Sequence, residues 1–322
     1  MRRRADPGLL LLLTPMLWGA TFPAAKLALE HLPPLAFMAW TRGLGFLAIV
    51  AMIPLLRTGP SAGPDRWAPN GANGAVSPTA DPPLRAVLGP GLLLGGLISV
   101  AYVLQTEGLA RTTATNAGFI TGLYVVFTPI LAAAIFRQRM PAAAWIAVGV
   151  SVIGLALLSV RDLGAVRLYL VDVLVLAGAL GWGGHIVGVG HFSPRFPAWM
   201  LSVAQMAATA VFQLVAAAGV GLHARDAASL SVWPLLVLTG VFGSGVAYTL
   251  QVMAQQTISP ARAVVLLAGE SLFAALFAAV WIEERLSLHQ WIGAILVLGA
   301  MAFSELAARR PAVQRLEPAS AP

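Results

Sequence analysis

The spacing of apolar and polar positions divides the chain into ten apolar runs, 8–28, 35–56, 86–108, 112–136, 142–160, 170–190, 198–221, 233–255, 261–282 and 288–307. A helix rises about 1.5 Å per residue and needs about 20 apolar residues to cross a hydrocarbon core of about 30 Å, so each run predicts one membrane-spanning helix. Barrel strands would show short segments of alternating character instead. The pattern therefore predicts an all-α integral membrane protein. Connections such as "RQRMP" (137–141) and "EERLS" (283–287) are short, which makes sequential helices antiparallel neighbours. Two segments lack apolar periodicity and are rich in Gly, Pro, Asn and Ala: 57–85, read as a disordered linker, and the tail 308–322.

Composition agrees with the pattern. Of 322 residues 58% are hydrophobic and only 10% charged, against about 25% charged in soluble proteins. There is no cysteine, so disulfides, thiolate metal sites and cysteine nucleophiles are excluded. The formal charge of +7 would suit a nucleic-acid partner, but the arginines sit at the ends of the apolar runs, where membrane topology places them. "MRRRADPGLLLLL" resembles the start of a secretory signal, yet its apolar run continues to about Ala28 without a small-residue cleavage site, so a retained first helix is expected. With the N-terminus inside, the inner face receives Arg2, Arg3, Arg4, Arg57, Arg66, Arg85, Arg137, Arg139, Arg195, Arg262, Arg309, Arg310 and Arg315. The outer face receives Arg111, Arg161, Arg167, Arg225 and Arg285. Both termini, and the linker 57–85, are thus expected on the cytoplasmic side of the cell membrane.

"AYVLQ" at 101–105 returns as "AYTLQ" at 247–251, and at the same offset of 146 residues Phe127, Arg139, Trp145 and Ile146 return as Phe273, Arg285, Trp291 and Ile292. Tyr, Gln, Arg and Trp kept in one register through three helices indicate a duplication of a five-helix unit. Five is odd, so the second copy enters the membrane from the opposite side. Inverted repeats of this kind place a binding site near the midplane and expose it alternately to each face. The expected organisation is one unit over 8–160 and a second over 170–307.

In three stretches the chain resembles the drug/metabolite transporter superfamily, in particular its EamA-type members with two tandem five-helix units. "WGATFPAAK" (18–26) followed by Arg42 is similar to the family's pattern over its first two helices. The stretch from "AYVLQTEGLARTTATNAGF" to "FRQRM" is similar to its third and fourth, including Pro129, and "ISPARAVVLLAGESLF" onward to the end of the second unit. Two features depart from the family. The residue after Glu270 is Ser271 rather than proline, which leaves the bend of that helix open, and the linker 57–85 is longer than usual. The resemblance implies a secondary transporter, commonly an exporter, that moves a small metabolite, amino acid or drug-like solute across the cytoplasmic membrane by alternating access. It implies no enzyme activity, no cofactor and no nucleic-acid partner; a small-molecule substrate and the bilayer are the partners. It also implies a cavity lined by spans one to four and six to nine, with spans five and ten peripheral.

Glu270 is the foremost site candidate, since an unpaired charge at mid-helix costs roughly 2.5–3.5 kcal/mol on insertion scales. It is read either as a group that exchanges a proton during transport or as a neutral side chain hydrogen-bonded to a neighbouring helix. Arg42, about a third of the way into its span, is suited to an anionic substrate group, to pairing with an acid, or to packing. Lys26 is read as snorkelling to the headgroups. Tyr102 and Gln105, like Tyr248 and Gln251, are spaced i, i+3 on one helix face and can offer hydrogen bonds to a polar solute or to another helix. Trp182 and His185 have the same spacing beside Gly178, Gly181, Gly183 and Gly184; Trp18 and Asn116 are further cavity candidates. An intramembrane enzyme lacks a His-Glu-x-x-His or Gly-x-Ser-x-Gly motif here, and a channel lacks rings of one charge.

Overall fold

A computed structural model describes residues 6–58, 82–111, 120–137, 141–159, 172–219, 231–281 and 286–309. All regular structure among them is helical, a 3-10 turn at Ser193–Arg195 and ten longer helices: α1 (Pro7–Leu29), α2 (Pro34–Thr58), α3 (Leu84–Arg111), α4 (Tyr124–Phe136), α5 (Ala142–Ser159), α6 (Asp172–Phe192), α7 (Ala198–Gly219), α8 (Trp233–Gln255), α9 (Pro260–Trp281) and α10 (Leu288–Arg309). Eight are long and apolar enough to cross a membrane, and Ile120–Phe136 and Ala142–Leu158 are shorter apolar helices. In lipid every backbone polar group must find an internal partner, and the helix achieves this within one segment. Starts follow local chemistry. The Asp6 carboxylate accepts from the Gly8 amide at 2.8 Å with Pro7 in the first turn, and Pro260 opens α9 behind Ser259.

Boundaries fall close to those expected, with small differences. Helix α2 continues through Thr58 and α3 begins at Leu84, so both ends of the expected linker 57–85 are helical. Helix α10 continues to Arg309, into the expected tail. Residues 59–81, 112–119 and 310–322 lie outside the described residues, as does "EER" at 283–285.

The helix contacts are those of a two-fold arrangement. The main pairs are α1 with α8 and α9, α6 with α3 and α4, α2 with α8, α7 with α3, α2 with α7, and α5 with α10. Exchanging each helix with the one five places along turns this set into itself. Close approaches repeat in the same way. A Cβ on Gly19 would lie 2.5 Å from the Phe273 Cβ, and one on Gly183 would lie 3.1 Å from the Phe127 Cβ. Helices α5 and α10 cross where Gly154 and Gly293 face each other's carbonyls. Without a hydrophobic drive between helices in lipid, such small-residue contacts supply the packing.

Two departures from regular helix lie at the centre. Leu238–Val246 of α8, with glycines at 240, 243 and 245, is a π-helical stretch, a form whose wider turns frequently mark functional sites. Helix α9 is interrupted at Ala268, between Pro260–Leu267 and Gly269–Trp281, and α4 is preceded by a turn at Leu123 in nearly the equivalent place. The bend at Glu270 therefore occurs without a proline.

Candidate functional site

A narrow, partly open cavity of about 60 Å³ lies between the two halves. It is lined by α1 (Trp18, Thr21, Phe22, Ala25, Leu29), α2 (Phe37, Arg42), α3 (Tyr102, Gln105, Thr106, Leu109) and α6 (Trp182, His185, Ile186). Thr121 and Tyr124 at the start of α4, Thr239, Gly243 and Tyr248 of α8, and Glu270 of α9 complete the wall. Among the described residues α5, α7 and α10 contribute nothing to it, so the seventh span, expected in the wall, is absent from it.

The expected candidates divide as follows. Trp18, Arg42, Tyr102, Gln105, Trp182, His185, Tyr248 and Glu270 all line the cavity. Gln251 does not; it is fully buried and donates to Gln255 Oε1 at 2.9 Å, and Gln255 in turn donates to the Ile186 carbonyl at 2.9 Å. Asn116 lies outside the described residues. Lys26, half-buried in the last turn of α1, is not among the lining residues.

The site is aromatic with an arginine and a carboxylic acid set in it. Trp18 meets Tyr248 edge to face at 5.0 Å between centroids, and the equivalent pair, Trp182 and Tyr102, meets at 5.7 Å. The Arg42 guanidinium carbon lies 4.0 Å from the Tyr102 ring centroid and 6.0 Å from that of Tyr248. Its Nε and Nη1 have no hydrogen-bond partner among the described residues, and no carboxylate there forms an ion pair with it. Glu270 sits in the first turn after the α9 interruption, beside the Tyr124 phenol. It is the one carboxylic acid among the described lining residues. His185 Nε2 donates to Gln205 Oε1 at 3.1 Å, and Gln105 donates to Thr121 Oγ1 at 3.0 Å.

The repeat is broken in detail. Trp18 Nε1 donates to the Gly243 carbonyl at 3.0 Å, within the π-helical stretch. Trp182, its equivalent, faces regular α3, whose carbonyls serve the helix, and its Nε1 is buried without a partner among the described residues. Sequence reasoning missed Thr21, Phe22, Thr121, Tyr124 and Thr239. Tyr124 was within reach as the residue 146 positions before Glu270. Thr21 stands to Trp18 as His185 stands to Trp182, a correspondence visible once the "WG" at 18–19 is aligned with that at 182–183.

Among the described residues, the cavity lining extends toward the end of the bundle where α1 and α3 end and α2 and α4 begin. Its walls there include Phe37, Thr106, Leu109 and Thr121. The equivalent residues at the other end, Leu201, Val252, Gln255 and Leu267, are buried as these four are but line no part of the cavity. That end is sealed by Pro260, 2.5 Å from where a Cβ on Gly190 would stand, and by the Gln251–Gln255–Ile186 chain. Beyond them, Arg262 of α9 pairs with Glu305 of α10, with Nε to Oε1 at 2.8 Å.

Comparison with known proteins gives concordant matches. The model of the EamA-like transporter family matches residues 7–160 and 170–305. An uncharacterized transporter of Archaeoglobus fulgidus is 30% identical over 300 residues, covering 93% of this chain and 85% of that protein. One of Methanothermobacter thermautotrophicus is 26% identical over 213 residues, covering 64% of this chain and 62% of the other. A solved crystal structure superimposes with a TM-score of 0.72 over 96% of this chain and 99% of that one, at 18% identity, a likeness of fold.

Proposed function

This chain belongs to the EamA-like transporter family, a multi-pass membrane fold with a small-molecule substrate and the bilayer as its partners, and on that premise we propose that it is a secondary transporter working by alternating access. The observation that carries the mechanism is the one-sided cavity between two-fold related halves. Residues lining it at one end have equivalents at the other that are packed shut. Two halves so related can exchange these roles by rocking, because each half holds the sequence equivalent of the other's contacts. The five-helix units are 8–160 and 170–307.

The inner face is the sealed one in this reading, since the arginine-rich ends put the termini in the cytoplasm and the cavity then reaches the outer side of the cell membrane. Export is the direction proposed: the state here is the one in which a solute is released outside. Trp18, Arg42, Tyr102, Gln105, Trp182, His185, Tyr248 and Glu270 form the binding wall, and Glu270 exchanges the coupling proton, being the carboxylic acid of that wall. Gln251 acts in the seal and not in the site.

An efflux screen tests this. Cells with and without the gene are compared for growth and for retention of amino acids, organic acids and antibiotics, and any solute found is followed by counterflow in proteoliposomes. Saturable counterflow supports a carrier. Non-saturating flux of that solute would identify a channel, and chemical conversion of it an enzyme.

A further inference from the structure

We infer that the cavity accepts a small organic anion with a flat apolar body, its charge held at Arg42 and its body among Trp18, Trp182 and Tyr248, an inference that rests on the transporter reading above. Arg42 is only 2% exposed, yet no carboxylate among the described residues pairs with it and two of its nitrogens lack any acceptor. The rings of Tyr102 and Tyr248 compensate part of that burial. Cation–π contacts are nevertheless weaker than the cost of taking a guanidinium out of water. Such a site is completed by an acceptor carrying negative charge.

Other features of the wall point the same way. The Trp182 indole N–H is a second donor without a partner, although the equivalent N–H of Trp18 is used by Gly243. Three of the unpartnered lining atoms are donors, Arg42 Nε and Nη1 and Trp182 Nε1; His185 Nδ1, an acceptor while Nε2 serves Gln205, and the Tyr124 hydroxyl are the others among the described residues. Glu270 does not neutralise Arg42 in an ion pair; it stands against Tyr124. A carboxyl can also shed its charge by taking a proton, which a guanidinium cannot do in a protein. The lasting charge of the cavity is therefore positive. A cationic solute would meet Arg42 directly, and a neutral one would leave it as unpaired as before. The remaining wall is aromatic: Trp182 and Tyr248 lie 6.3 Å apart and 30° from parallel, and Trp18 closes on Tyr248. Such faces favour a flat apolar group.

The test uses four probes of similar body: benzenesulfonate, benzenesulfonamide, benzyltrimethylammonium and phenylalanine, as anion, neutral molecule, cation and zwitterion. Counterflow of each is measured with the full chain in proteoliposomes, and rates are compared within each preparation, so the fraction folded cancels. Benzenesulfonate is expected to move at least about tenfold faster than the other three, the scale of one charge-assisted hydrogen bond. In Arg42→Gln the ratio to the sulfonamide is expected to fall to about one, with an intermediate value in Arg42→Lys. A ratio unchanged in Arg42→Gln, or equal or faster movement of any other probe, overturns the anion assignment while leaving a carrier in place. Absence of saturable counterflow for all four overturns it too. The carrier reading then stands or falls on the solute found in the efflux screen.

Discussion

Tyr124 and Glu270 occupy equivalent positions in the two halves, 146 residues apart, and stand side by side at the cavity wall. Residues meeting their own equivalents lie at the two-fold relation between the halves, where an unbroken repeat would place two acids or two phenols. One of each leaves a single carboxyl between the halves, the one acid among the described lining residues. A second carboxyl there would repel the first.

If Glu270 carries the coupling proton, Glu270→Gln is expected to abolish the acceleration of transport by an imposed pH gradient while retaining solute-for-solute counterflow. Proteoliposomes with and without a pH step measure both. A gradient response equal to that of the unaltered protein would assign Glu270 a structural role.

The two tryptophans of the repeat are expected to differ in stability contribution. Trp18→Phe removes a hydrogen bond to the Gly243 carbonyl, whereas Trp182→Phe removes a buried N–H that has no partner. Membrane hydrogen bonds average about 0.6 kcal/mol, and an unmet buried donor costs about 1–3 kcal/mol. Thermal unfolding in detergent should therefore show a lower midpoint for Trp18→Phe than for Trp182→Phe.

Glycines at helix crossings are expected to tolerate nothing larger. A Cβ at Gly19 would stand 2.7 Å from the Ala274 amide nitrogen and 2.9 Å from the Glu270 carbonyl, both backbone atoms that cannot turn aside. Gly19→Ala should cost about 1–3 kcal/mol by overpacking. Gly43→Ala, with nothing within 4 Å, should be neutral or slightly stabilising, by up to about 1 kcal/mol of helix propensity. Equal midpoints for the two variants would contradict the close crossing of α1 and α9.

Because the chain has no cysteine, single introduced ones report access directly. Thr106→Cys, on the cavity wall, is expected to react with a maleimide much faster than Val252→Cys, its packed equivalent. Adding Arg262→Ala removes the pair with Glu305 at the sealed end and should speed the reaction at position 252. Equal rates at 106 and 252 in the parent chain would refute a one-sided cavity.

The sequence alone indicated the spans, their duplication and eight residues of the cavity wall, Trp18, Arg42, Tyr102, Gln105, Trp182, His185, Tyr248 and Glu270, less than half of its lining. Lipid admits few solutions for a backbone, so about 20 apolar residues identify a helix wherever it packs. Tyr102 and Tyr248, Trp18 and Trp182 were legible because polar and aromatic groups stand out against hydrocarbon. Only the tertiary structure separated Gln105 from Gln251, which have the same motif and the same spacing. One faces the cavity and the other a packed seal, because equivalent positions of the two halves meet different surroundings. The same holds for Tyr124, an ordinary residue in its own helix that gains its place from Glu270 opposite. Local pattern records which face of a helix is polar; which partner meets that face is settled by helices more than a hundred residues away.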